Sequence, residues 1–116
     1  MTELESGIQN AIRDYLRWQG WYVVKIHQSL GSFKGIADIY AIRDGRSLWL
    51  EIKTPRGKQS EHQAAFGCAI LAHGGEYAVV RSVEDMERYL REHVVIREIE
   101  REARGISHLM NGRMLS

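Results

Sequence analysis

The sequence predicts one α/β domain, a mixed β-sheet flanked by helices in the order αβββαβα, on three observations. The pair Asp44-Gly45 lies between two apolar runs, "GIADIYAIR" and "RSLWLEIKT", and this is the strongest short-range signal for a two-residue β-hairpin. Helical stripes begin at residues suited to N-caps and stop at glycines, once before the hairpin and again after it. With 116 residues and a single proline, Pro55, the chain has room for one core and shows no linker or repeat. These readings divide it into a core over residues 1–93 and a tail over residues 94–116.

In the first segment Leu4, Ile8, Ala11, Ile12, Tyr15 and Leu16 fall on one helical stripe, and Gly20 stands where a helix C-terminus wants it, which predicts a helix over 3–19. "WYVVKIH" is rich in β-branched and aromatic residues and reads as a strand, followed by the loop "QSLGSFKG" and then the hairpin. A second helix starts near Ser60 and ends at Gly74-Gly75, a strand "EYAVV" comes next, and a third helix starts at about Val83. Ile96, Ile99, Ala103 and Ile106 are spaced at three and four, which suits a tail helix packing on the body or on a second copy.

No apolar run reaches the ~20 residues that span a bilayer, and the N-terminus is acidic and polar where a signal peptide is basic and then apolar, so a cytoplasmic protein is expected. The lone Cys68 excludes an internal disulfide and a thiolate zinc site, and reads as a small core residue of the second helix. Net charge is only +1, but seven Lys or Arg stand against three acids over residues 25–58, and seven acids against four arginines over residues 82–102. If the acids in the first stretch are neutralised otherwise, that stretch is a basic surface for a polyanion; ordinary solvated charge is the alternative.

The hairpin brings the acids together. A two-residue turn at Asp44-Gly45 pairs Tyr40 with Trp49, Ile42 with Ser47, Asp38 with Glu51 and Ile36 with Lys53, and puts Ala37, Ile39, Ala41, Leu48, Leu50 and Ile52 on the other face. Both faces are largely apolar, so both should be covered. Two carboxylates directly opposite are destabilising, and desolvation adds to that. A proton on one acid, the ammonium of Lys53, or a divalent cation between them would compensate; Lys53 offsets one charge, and Mg²⁺ characteristically uses one or two carboxylates with water and phosphate. A buried Asp-Lys-Glu cluster with a purely structural role is the alternative.

Gly35-Ile36-Ala37-Asp38, then Glu51-Ile52-Lys53 at the end of the next strand, then Ser60 and Gln63 opening a helix, together resemble the PD-(D/E)XK nuclease superfamily, and within it the VRR-NUC domain with its small stand-alone phage and bacterial members. The resemblance runs from the first helix to about Arg81 and implies a restriction-endonuclease-like core. Asp38 and Glu51 match the family's metal-binding acids, Lys53 its catalytic lysine, Gln63 the glutamine that comes after it, and Glu5 the acid many members carry on the first helix. Ala37 departs from the usual proline before the aspartate, a change that leaves the ligands untouched. Thr2 with Glu5, and Ser60 with Gln63, also read as capping boxes.

The resemblance implies a DNA endonuclease that hydrolyses phosphodiesters with Mg²⁺ or Mn²⁺ held by Asp38, Glu51, the backbone carbonyl of Ile52 and, as a further candidate, Glu5. Lys53 would orient or deprotonate the attacking water and Gln63 would position water or phosphate. Lys25, Lys34, Arg56 and Lys58 are candidates for gripping the DNA backbone, with Gly57 beside them and His27 on the face of Lys25. His62, His73, His93 and His108 have no metal-ligand spacing. Relatives that cut branched DNA as dimers suggest structure-selective cleavage by a homodimer through the tail. The rival readings are a non-catalytic nucleic-acid-binding module, an interaction or antitoxin-type protein, and a restriction-type endonuclease on linear duplex.

Overall fold

Helix α1, Glu3–Trp18, opens under Thr2, whose Oγ1 accepts the Glu5 N–H at 3.1 Å. It ends where Gly20 takes φ +87°, its N–H bonding the Arg17 carbonyl at 3.0 Å while the Trp21 N–H reaches back to Leu16 at 3.0 Å, a Schellman stop that only a residue free of a Cβ makes easily. The structure is a computed structural model that describes residues 2–28, 33–93 and Ala103. The expected tail helix after Val94 lies outside the described residues, apart from Ala103, which is helical. The chain groups into two compact units, Met1–Met86 and Glu87–Ser116.

Strand β1, Tyr22–Lys25, is shorter than "WYVVKIH" because Trp21 is spent on the helix stop and is buried there. Strands β2, Ile39–Arg43, and β3, Arg46–Ile52, form the hairpin, with Asp44 at φ 49° and Gly45 at φ 78°. Two successive positive φ values define the type I′ turn, whose twist suits a tight hairpin. Helix α2, Glu61–Ala72, carries the crossover to β4, Glu76–Val80, and ends at Gly74 with φ 85°. A third helix, α3, covers 83–93. The sheet order is β1-β2-β3-β4, antiparallel except for the parallel β3–β4 pair that the crossover requires. The expected fold is therefore present: a small α/β domain with a four-stranded mixed sheet and three helices. No described helix is long and apolar enough to cross a membrane.

The register matches the hairpin expectation over Ile39–Arg43, including Tyr40 with Trp49 and Ile42 with Ser47. Alternation then sorts the side chains. Ala37, Ile39, Ala41, Leu48, Leu50 and Ile52 are fully buried with Ile12 and Leu16 of α1, which packs on β1 and β3. The other face holds an aromatic cluster, Tyr40 against Trp49 at 4.5 Å and Trp49 and Tyr77 edge-on to Phe66 of α2 at 5.4 Å and 6.2 Å. Gly67 lets α2 approach, because a Cβ there would lie 2.5 Å from the Tyr77 ring. Cys68 contradicts its expected core position. It is exposed, since α2 is apolar all round after its first turn and only one side of it meets the sheet.

Candidate active site

The hairpin ladder breaks one residue before the acid. The Asp38 N–H donates to the Leu50 carbonyl at 3.0 Å although Leu50 is the partner of Ile39, so two residues of one strand face one of the other, a β-bulge. The Asp38 carbonyl meanwhile accepts the Ile26 N–H at 2.8 Å. The anticipated ladder pairs, Asp38 with Glu51 and Ile36 with Lys53, are thus displaced by the extra residue. The bulge re-aims the Asp38 carboxylate, whose Oδ2 accepts the Ile52 N–H at 2.8 Å and whose Oδ1 accepts Gln28 Nε2 at 3.2 Å. In an extended strand N–H and C=O leave on the same edge, so the Ile52 carbonyl also lies on the Asp38 side of β3.

Glu51 is only 1% exposed. Its Oε1 accepts Gln63 Nε2 at 2.8 Å and stands 3.8 Å from the Lys53 ammonium, whereas its Oε2 is buried with no hydrogen-bond partner. Burial pushes the Glu51 carboxyl up to about 8, the charge of Asp38 adds to the push, and Lys53 opposes it. A proton on Glu51 relieves first the cost of burying its charge and then the repulsion from Asp38, so the carboxyl keeps it well above the ordinary carboxylate range. Burial, then the charge of Glu51, also pushes the Tyr77 phenol up to about 12.

Gln63 makes the capping box read from the sequence and also reaches Glu51. Its Oε1 accepts the Ser60 N–H at 2.8 Å and its backbone N–H donates to Ser60 Oγ at 3.2 Å, completing the capping box, while its Nε2 holds Glu51. The α2 N-terminus is fixed there from two sides. Gly35, at φ 78°, lies so close to the His62 carbonyl that a Cβ would come within 2.1 Å of it, and the Tyr77 hydroxyl accepts from Gln59 at 2.7 Å and donates to the Gln63 carbonyl at 3.5 Å.

A cavity of about 410 Å³ opens at this end of the sheet, and both helical layers wall it: Glu5, Ser6 and Gln9 from α1, Lys25 at the end of β1, His27 and Gln28 beyond it, Asp38, Glu51 and Lys53, and Gln63 from α2. Of the expected residues, Asp38, Glu51, Lys53, Gln63, Glu5 and Lys25 are brought together. Lys34, Arg56 and Lys58 are exposed or partly exposed outside its lining. Arg81 Nη1 donates to the Thr54 and Gly57 carbonyls, each at 2.6 Å, and so shapes the loop that carries Arg56 and Lys58. Sequence reasoning missed Arg81, Gln28 and Gln9. Only Gln9 left a signal, one turn beyond Glu5 and one before Ile12 on the same stripe. It is 1% exposed, and its Oε1 has no partner, a state that costs about 1–3 kcal/mol.

Among the described residues no three His, Cys, Asp or Glu side chains are grouped to cage a metal ion, so Glu5 borders the cavity without forming such a group with the two acids. The pair itself fits a hard divalent cation. Glu51 Oε2 lies unpartnered beside Asp38, and two carboxyl groups with a carbonyl leave places for water and phosphate, the ligand pattern of Mg²⁺, whose binding would displace the Glu51 proton.

A solved structure described as a VRR_NUC domain superposes on this chain with a TM-score of 0.68 at 20% identity, covering 78% of this chain and 97% of the other. The chain has the fold of a VRR-NUC domain. No family model matches the sequence, and neither does any curated relative. The near-complete coverage of the solved domain means that the VRR-NUC fold is present from end to end, with the carboxylate pair at the end of its central hairpin.

Proposed function

We propose that the chain is a metal-dependent nuclease that hydrolyses phosphodiester bonds in DNA. One observation carries the reading: Asp38 and Glu51 adjoin in one cavity, Glu51 is buried with an unpartnered oxygen, and the ammonium of Lys53 stands 3.8 Å from the other Glu51 oxygen. The nuclease sense of the VRR-NUC fold supports it. Asp38, Glu51 and the Ile52 carbonyl would hold Mg²⁺ or Mn²⁺, which when bound lowers the pKa of water and offsets phosphate charge.

The residues of the chain do the rest. Gln28 and the Ile52 N–H fix both oxygens of Asp38, and Gln63 fixes one of Glu51, so the acids are held before substrate arrives. Lys53, with its side chain only 15% exposed, orients the attacking water and meets the charge developing on the phosphoryl oxygens. The water oxygen bonds to phosphorus as one P–O ester bond breaks; the water loses a proton to solvent and the leaving oxygen gains one, giving a phosphate monoester and an alcohol. Lys25 in the cavity, and Lys34, Arg56 and Lys58 outside it, grip the phosphate backbone without reading bases.

The finer reading is a homodimer acting on branched DNA. In its support, α2 leaves Ala64, Ala65, Cys68, Ala69, Leu71 and Ala72 at least partly exposed, an apolar surface suited to a second copy. A monomer by light scattering at micromolar concentration would remove the dimer. The principal test is cleavage of linear, flap and four-way DNA by the wild type and by Asp38→Ala, Glu51→Ala and Lys53→Ala. Each variant should fold and lose Mg²⁺-dependent cleavage by a factor of about 10³ or more. Cleavage that persists in Glu51→Ala, or in EDTA, rejects the site.

A further inference from the structure

Gln9 sits where an apolar residue would be expected. It shares the inner stripe of α1 with Ile12 and Leu16, both fully buried, and is itself 1% exposed, yet it lines the same cavity as Asp38, Glu51, Lys53 and Gln63. Its Oε1 is buried with no hydrogen-bond partner. Such an atom is normally satisfied by protein or by ordered water. An amide oxygen repels phosphate oxygens, so what it lacks is a donor. The cavity, at about 410 Å³, has room for water, and a water there has the Asp38–Glu51 pair as its other wall.

We propose, resting on the nuclease reading above, that Gln9 is a positioning residue for the hydrolytic water. Its Oε1 accepts one hydrogen of that water, which turns the oxygen lone pairs away from α1 and towards the cation and phosphate side of the cavity. Lys53 then acts on a water whose orientation is already restricted. Ser6 and Glu5 flank Gln9 on the same wall and extend the hydrogen-bonding surface on which that water rests.

The test compares wild type with Gln9→Met, which keeps the length and removes the acceptor, and Gln9→Glu, which keeps an acceptor. For each, the melting temperature is measured in EDTA and across a Mn²⁺ titration, and kcat and KM are measured on flap DNA with Mg²⁺. Gln9→Met should melt in EDTA at or above the wild-type temperature, because an unpaired buried acceptor is gone. Its KM should stay within about twofold while kcat falls about 10- to 100-fold, and its Mn²⁺ midpoint should rise about tenfold, the scale of an outer hydrogen-bond partner of a metal site. Gln9→Glu should recover part of the lost kcat. An unchanged kcat and Mn²⁺ midpoint in Gln9→Met, or a fall in melting temperature in EDTA that accompanies the loss of rate, would make Gln9 an ordinary core residue. If instead wild type does not cleave and Asp38→Ala leaves the Mn²⁺ response intact, the nuclease reading itself has failed and this proposal falls with it.

Discussion

Strand β3 carries a buried charge cluster at each end, and the two are built oppositely. At its start Arg46 Nε and Nη2 reach the two oxygens of Glu76 at 3.0 and 2.8 Å, with side chains 14% and 10% exposed. Charge and geometry are both matched there, a bidentate fork on a carboxylate, with the guanidinium also lying over the Trp21 ring at 5.1 Å. At its end the Lys53 ammonium stands 3.8 Å from Glu51 Oε1, Asp38 adjoins as a second acid, and the buried Glu51 Oε2 has no partner. The first cluster is complete within the protein. The second leaves a buried oxygen unmatched, so the same strand shows a structural ion pair at one end and, at the other, how a candidate site departs from it.

Breaking each cluster should separate function from stability. Glu51→Gln removes the surplus charge while its new amide can donate to Asp38; cleavage should fall at least about 10³-fold, the Mn²⁺ stabilisation should vanish, and the melting temperature in EDTA at pH 8 should rise. A fall in that temperature would mean that the acid pair is already compensated. Glu76→Ala should do the reverse. It removes the bidentate partner of a largely buried guanidinium and should cost about 3–5 kcal/mol in urea unfolding, while the folded fraction keeps its cleavage rate; Arg46→Met with Glu76→Leu should restore most of the stability.

The pH course sharpens the same contrast with a smaller effect. The Glu51 carboxyl lies at about 8 in the fold against 4.5 ordinarily, so between those values the folded chain keeps a proton that the unfolded chain has lost. Stability in EDTA should therefore fall as pH rises from about 4.5 to about 8, by at most ~1.4 kcal/mol per pH unit, and level off above that. Urea midpoints from pH 5 to 9 measure this, and Glu51→Gln should flatten the curve.

The elements legible in the sequence are those set by local chemistry. Asp44-Gly45 dictates a turn whose two positive φ values few other pairs accept, Thr2 and Ser60 cap the helices they precede, and Gly20 and Gly74 stop them. Period-two alternation then places the buried apolar residues of β2 and β3 on one face. What is not legible depends on long-range partners. The bulge at Asp38 arises where one strand answers two neighbours, Ile26 and Leu50, and nothing within "GIAD" announces it. Cys68 is misplaced by the sequence because α2 after its first turn is apolar on every side and has no stripe to indicate which side is covered. Gln28 and Arg81 act across gaps of 10 and 27 residues, on groups that any polar side chain could have served.

The bulge has a consequence for observation as well as for chemistry. Because the Ile52 amide is bonded to a side-chain oxygen of Asp38 at 2.8 Å instead of to a neighbouring strand, its proton is a reporter wired to the carboxylate. Titrating a divalent cation into ¹⁵N-labelled protein should move the Ile52 resonance in step with occupancy, and Asp38→Asn should silence that response. The backbone of β3 would thus announce in a spectrum the arrival of charge at a site whose cleavage need never be allowed to begin.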